Sequence, residues 1–334
     1  MRAVRLNEIG GPEKLHVEDV PQPEPGPGEI LVRVARAAYN RRDVYITQGL
    51  YPGIALPVTP GSDGAGVVAA LGAGVAGPAV GTRVVINPQL RWVEGGAPVS
   101  ASSSILGMPV DGTFADYCVA PAANVYRTPT GLTDDEAAAL PLAGLTAYRA
   151  TFTRGRISKD DVVLVTGVGG GVQTFVLLYC KHVGARAIVT SGSDEKLERA
   201  KALGADVAIN YRTSAAWHKD VRGASDGGPT LIVDSTGGDT LGKCLEIARP
   251  CARVVTYGGT TGDATIRPFS IFWKSLDVLG TSMGSPSDFA AMLELFEAGL
   301  RPVVDRVFAM DECAAAAERM LHSEQFGKVV LAIA

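Results

Sequence analysis

Apolar positions follow two different rhythms along this chain. Through about residue 125 they fall in short segments, Glu29–Ala35, Gly66–Ala70 and Thr82–Ile86, separated by turns dense in proline and glycine. Short apolar runs punctuated in this way predict β-strands with tight connections. PQPEPGPGEI, residues 21–30, reads as a turn entering a strand rather than as a linker. From about Thr133 the rhythm lengthens. Asp134, Asp135 and Glu136 precede an alanine-rich run, which places acids at the positive end of a predicted helix.

Strands and helices then alternate. The pattern predicts strands at Val162–Val165, Ala187–Thr190, Val207–Asn210, Leu231–Val233 and Arg253–Tyr257. Between them it predicts helices over Val172–Val183, from Asp194, near Ala215–Val221 and near Thr240–Ala248. Short, continuously apolar strands between helices imply a doubly wound parallel sheet with both faces covered. Further on, Asp277–Met283 reads as a strand, Ser287–Ala298 and Glu312–Leu321 as helices, and Lys328–Ile333 as a last strand. The fold class expected is therefore α/β, a β-rich domain joined to a doubly wound one.

Length agrees: 334 residues exceed the usual single domain and allow two full cores. No apolar run approaches the roughly 20 residues that cross a bilayer, so no membrane association is expected. The start, MRAVRLNEIGGPEKLHVEDV, is charged throughout and lacks a signal peptide's apolar stretch, which makes the cytoplasm the expected location. A net charge of −4 with interspersed signs offers no basic patch for a nucleic acid. Cys118, Cys180, Cys244, Cys251 and Cys313 contain no C-x-x-C pair, against both a disulfide framework and a thiolate zinc site.

The candidate chemistry lies in DVVLVTGVGGGVQTFVLLYCKHVGARAIVT, residues 161–190: strand, glycine-rich turn, helix, strand. This order builds a dinucleotide site, because glycines let backbone N–H groups approach a pyrophosphate at the positive end of the next helix. The motif is imperfect, since Gln173 stands where a final glycine is expected. In NAD-binding sheets an acid at the end of the second strand accepts hydrogen bonds from the ribose. Here that strand ends in Thr190, Ser191, Gly192 and Ser193, with Lys196 close behind. Small hydroxyls and a lysine suit a 2′-phosphate, so NADP(H) is the cofactor expected. Ser193 and Asp194 equally suit a helix cap. Tyr211, after the third strand, is a further candidate contact.

Several runs together, Asn40–Pro52 (NRRDVYITQGLYP), PGSDGAGVVAALG, GTRVV, LPLAGLTAYRA, VLVTGVGGGV, LGADVAINY and GKVVL, resemble the medium-chain dehydrogenase/reductase superfamily, and within it the zinc-free quinone oxidoreductase and ζ-crystallin branch. The resemblance implies a GroES-like catalytic domain, residues 1–125 completed by 266–334, around a Rossmann nucleotide domain, residues 126–265. It also implies a homodimer joined near Asp277–Met283. Zinc-dependent relatives hold a catalytic metal at places that correspond here to Asn40, Ser62 and about Leu142, none a usual zinc ligand. No metal is therefore expected. The segment 87–112 is longer than the quinone-reductase branch carries and has no cysteine; it reads either as a surface loop or as part of an interface or cleft wall.

By the same resemblance, Asn40 offers its amide near the nicotinamide and the acceptor oxygen, with Tyr45 and Tyr51 lining the cleft and Asp43 orienting its neighbours. Tyr45 or water supplies the proton. Thr146 lies by the nicotinamide. Gly169, Gly170, Gly171 and Val172 face the pyrophosphate. Ser235, Thr236, Tyr257, Gly258 and Thr260 sit at strand ends, where such sheets bind ligands, and Met283, Gly284 and Lys328 complete the cofactor envelope. A metal-free site suits acceptors that reduce easily, a quinone or an α,β-unsaturated carbonyl, whose oxygen takes up the charge. Reduction of another carbonyl, and dinucleotide binding with little turnover, remain open.

Overall fold

A computed structural model describes residues 1–93 and 103–334, which form two compact units: Met1–Leu145 with Gly284–Ala334, and Thr146–Met283. The divisions fall at 145/146 and 283/284, where the resemblance implies 125/126 and 265/266. The helix Asp134–Ala139 packs on strands Glu29–Ala38 and Asp63–Leu71 of the first unit, and the strand Asp277–Gly280 pairs with Arg253–Thr256 of the second. No helix among the described residues is long and apolar enough to cross a membrane.

The first unit is built on a seven-stranded sheet. Its order is Val304–Ala309, Lys328–Ala332, Glu29–Ala38, Asp63–Leu71, Arg83–Ile86 and Val125–Arg127, with Tyr117–Pro121 also paired to Glu29–Ala38. Val32, Val34, Val84, Ile86, Val329 and Leu331 turn into one core with Phe114 and Tyr39. The C-terminal strand returns antiparallel to Glu29–Ala38, Val330 opposite Ala38, and on the other side Ala38 faces Asp63. This register sets the end of one strand, the start of a second and the start of a third side by side.

The second unit is a six-stranded parallel sheet in the order Val207–Asn210, Arg186–Ser191, Val162–Val165, Leu231–Asp234, Arg253–Thr256, Asp277–Gly280. That is the Rossmann order, in which ligands bind where the winding reverses. Here the reversal lies between Val162–Val165 and Leu231–Asp234. The helix Gly171–Val183 ends on Gly184 in the left-handed region, φ +83°, a conformation that suits glycine because a Cβ is strained there.

Candidate functional site

In the first unit the sheet register gathers three polar side chains that are far apart in the chain. Asn40 stands two residues past the strand Glu29–Ala38 and caps the helix Arg41–Thr47, Asp63 opens the next strand, and Lys328 opens the C-terminal strand, and all three are buried. Lys328 Nζ donates to Asn40 Oδ1 and to Asp63 Oδ2, each at 2.7 Å. Asn40 Nδ2 donates to Asp63 Oδ2 at 2.9 Å, and the Leu142 N–H donates to Asp63 Oδ1 at 2.7 Å. Every acceptor in the cluster faces a donor, the condition for holding charges away from water.

A second buried cation lies beside it. Arg42 Nη1 donates to Ser62 Oγ at 2.5 Å and to the Leu106 carbonyl at 3.0 Å, and its Nη2 donates to the Met108 carbonyl at 3.2 Å. The guanidinium also lies 4.9 Å from the centre of the Tyr51 ring. Tyr51 thus stacks on a cation and packs against the core of the first unit, while Tyr45 is partly exposed on the helix Arg41–Thr47. Asp43 closes the start of that helix, its Oδ2 accepting from the Asn40 N–H at 2.7 Å. Burial pushes its carboxyl up to about 6, against the pull of the Arg42 guanidinium. Of the segment 87–112, residues 94–102 lie outside the described residues. Its described part pairs Gln89–Leu90 with Ser104–Ile105 and then supplies the two carbonyls that hold Arg42.

In the second unit the glycine turn has the backbone a phosphate site needs. Gly167 and Gly169 take φ of +68° and +128°, and a Cβ on Gly169 would stand 2.7 Å from Lys196 Cδ. Gly170 caps the helix Gly171–Val183 without a side chain, and the first N–H groups, including those of Gly171 and Val172, have no partner within the helix, an arrangement that suits an anion. Gln173 reaches across to Ser235 Oγ, tying the helix to the neighbouring strand end where a glycine would have allowed close packing.

Around Ser191 the strand end carries no carboxylate of its own. Asp194, in the first helical turn, accepts from Asn210 Nδ2 at 2.7 Å, and Ser193 Oγ caps the helix by accepting from the Lys196 N–H. A Cβ on Gly192 would meet Arg212 Nε at 2.8 Å and the Tyr211 ring at 3.0 Å. Lys196, Tyr211 and Arg212 therefore flank the Ser191–Ser193 turn. Ser235 and Thr236 are brought to the 258–261 loop: the Ser235 carbonyl accepts from Thr260, the Thr236 carbonyl accepts from Thr261, and Gly258 lies against Ser235. Tyr257 follows the strand Arg253–Thr256, its N–H bonded to the Asp234 carbonyl. Thr146 and Met283, both buried, are the first and last residues of this unit, whereas Gly284 and Lys328 belong to the first.

Four contributors escaped the sequence reading. Asp63 carried the visible signal of an acid opening an apolar strand. Arg42 did not, because nothing in NRRD distinguishes a buried arginine from a solvated one. Arg212 is placed by the strand–turn geometry. Asp234 ends a strand and accepts from Thr166 Oγ1 at 2.6 Å and from the Thr236 and Gly237 N–H groups, which fixes the loops at the switch point.

The glycine turn and strand ends fit a dinucleotide. Zinc is different. Asn40, Ser62 and Leu142 present an amide, a hydroxyl and a backbone N–H, and both Asp63 oxygens are taken. Among the described residues no three His, Cys, Asp or Glu side chains stand close enough to share a metal. The two acceptors, Asn40 Oδ1 and Asp63 Oδ2, suit an ammonium, and the residue types at these places do not suit zinc.

Residues 26–130 match the family model described as alcohol dehydrogenase GroES-like domain, and residues 171–298 the model described as zinc-binding dehydrogenase. A zinc-type alcohol dehydrogenase-like protein of Schizosaccharomyces pombe is 37% identical, covering 100% of this chain and 99% of its own. A quinone oxidoreductase of Rattus norvegicus is 29% identical over 99% and 97%. A crystal structure of an NAD-dependent alcohol dehydrogenase superposes with a TM-score of 0.95 at 39% identity, over the whole of both chains.

Proposed function

The chain belongs to the medium-chain dehydrogenase/reductase superfamily of nicotinamide-dependent oxidoreductases, and from that premise we propose that it is an NADPH-dependent reductase of quinones or α,β-unsaturated carbonyls that works without a metal. The observation that carries the proposal is the Lys328 ammonium bonded to Asn40 and Asp63, where zinc-dependent relatives would need metal ligands. Without a Lewis acid to polarise an unactivated carbonyl, the acceptor has to be one whose developing charge spreads onto an oxygen already conjugated to the carbon attacked.

NADP(H), when bound, supplies the hydride. The chain's own residues bind and orient. The Gly169–Val172 backbone holds the pyrophosphate, while Lys196 and Arg212 neutralise a 2′-phosphate beside Ser191 and Ser193. Asn40 directs its amide at the acceptor oxygen. In the second unit Thr146, Ser235, Thr236, Tyr257, Gly258, Thr260 and Met283 complete the cofactor envelope. Tyr51 shapes the wall, Asp43 holds the turn that presents Asn40, and Tyr45 or water returns the proton.

The test is NADPH oxidation against a panel of menadione, cyclohexenone, simple ketones and simple alcohols with NADP⁺. Saturable turnover is expected with the first two alone. Turnover restricted to ketones or alcohols would move the protein to another carbonyl chemistry, and tight NADPH binding with no turnover would make it a binding protein.

A homodimer is proposed as well. Among the described residues the strand Asp277–Gly280 is an edge of its sheet with one neighbour, Val278 is exposed, and Phe269, Phe272 and Trp273 stand open to solvent nearby in sequence. An unpaired edge next to aromatic surface favours self-association. Light scattering on the wild type and on Val278→Lys separates dimer from monomer.

A further inference from the structure

Resting on the reductase reading above, we propose that Lys328 Nζ and Asn40 Nδ2 together form the seat for the acceptor's carbonyl oxygen, a resident ammonium and an amide donating hydrogen bonds where zinc-dependent relatives place a metal. The donor count leads there. An ammonium has three N–H donors and no acceptor, and a carboxamide has two donors on nitrogen. Lys328 commits two of its three, to Asn40 Oδ1 and Asp63 Oδ2, and Asn40 commits one of its two, to Asp63 Oδ2. Among the described residues, one N–H is left on each nitrogen. Buried donors are almost always satisfied, and these two belong to residues that are 1% and 6% exposed.

The orientation of the Asn40 amide is forced rather than chosen. Lys328 can only donate, so Oδ1 must face it, and Asp63 as a carboxylate accepts, so Nδ2 must face Asp63. The two nitrogens share one acceptor, Asp63 Oδ2, and are thereby held side by side. Their uncommitted hydrogens suit one oxygen with two lone pairs, the carbonyl of an enone or quinone.

The chemistry balances on the substrate. Hydride brings two electrons to the β-carbon of the enone, the alkene pair moves to make the enolate, and the negative charge settles on the oxygen in the seat. A proton from water or Tyr45 then adds to the α-carbon. The saturated carbonyl leaves, and NADPH has become NADP⁺. Lys328 and Asn40 donate hydrogen bonds throughout and transfer no proton, so the seat lowers the barrier by holding charge that appears only as the hydride moves.

The experiment compares wild type with Lys328→Met, Lys328→Ala, Lys328→Arg and the double variant Asp63→Asn with Lys328→Met. The double variant removes both buried charges and keeps the pocket folded if the single one does not. Menadione and cyclohexenone reduction, NADPH affinity by fluorescence titration and thermal unfolding are measured on each. The expected result is a fall of about 100-fold in kcat/KM, the size seen when one oxyanion donor is removed. The fall should lie mostly in kcat, with NADPH affinity within twofold and partial recovery in Lys328→Arg. In Lys328→Ala, methylammonium should restore turnover saturably while sodium chloride at equal ionic strength does not. A folded double variant that reduces either acceptor within threefold of wild type overturns the seat, and so does a loss confined to NADPH affinity. Wild-type protein that reduces neither acceptor overturns the reductase reading itself, and the seat with it.

Discussion

Lys328 Nζ and Asp63 Oδ2 stand 2.7 Å apart, an ion pair that solvent hardly reaches, between residues separated by most of the chain. Neither segment holds it alone: the strand register sets Val330 opposite Ala38 and Ala38 opposite Asp63. A buried pair is costly to break because the surviving charge is left without a partner.

Asp63→Ala is therefore expected to lose about 3–5 kcal/mol of unfolding free energy. Asp63→Asn combined with Lys328→Met, which leaves no buried charge, should lose less than half of that. Urea unfolding of the three proteins decides the matter, and equal losses in both variants would mean that the pair contributes only through packing.

Cofactor choice rests on the turn at Ser191. Lys196→Ala and Arg212→Ala should each weaken NADPH binding by about tenfold, the equivalent of 1.4 kcal/mol, and leave NADH binding unchanged. Fluorescence titration with both dinucleotides measures this. A wild type that prefers NADH would overturn the assignment, whatever the variants do.

Asp43 gives stability a pH dependence of known sign. Its carboxyl titrates at about 6 in the folded protein, against about 3.9 in an unfolded chain. Between those values the folded protein keeps a proton that the unfolded chain has released. Stability from this group is therefore highest below pH 4, falls as the pH rises to about 6 and is level above, by on the order of 3 kcal/mol in all. In Asp43→Asn the amide oxygen can still accept from the Asn40 N–H but carries no charge. The difference in unfolding free energy between wild type and variant should shift in the variant's favour from pH 4 to pH 7, and a constant difference would refute the burial of an ionised Asp43.

Much of this molecule can be read from its sequence, for identifiable reasons. The strands Val162–Val165 and Val207–Asn210 are found at the residues predicted, because short apolar runs between helices leave little freedom in a parallel sheet. The strand Val304–Ala309 was missed: Asp305 and Arg306 interrupt its apolar run, and it forms only by pairing with Lys328–Ala332. The glycine turn was legible because its chemistry is local. Lys328 was placed with the cofactor by resemblance, and the structure puts its ammonium on Asn40 and Asp63. No periodicity announces a contact between residues so far apart in the chain. Arg42 was invisible for a similar reason, since its partners at Ser62, Leu106 and Met108 come from two other segments.

Metal-free reduction is tested most directly by menadione-dependent NADPH oxidation on protein dialysed against a strong chelator, its zinc content counted by elemental analysis before and after. Saturable turnover that is unchanged by chelation, in protein with far less than one zinc per chain, is the predicted result. Activity that disappears with the metal and returns when zinc is added back would contradict it.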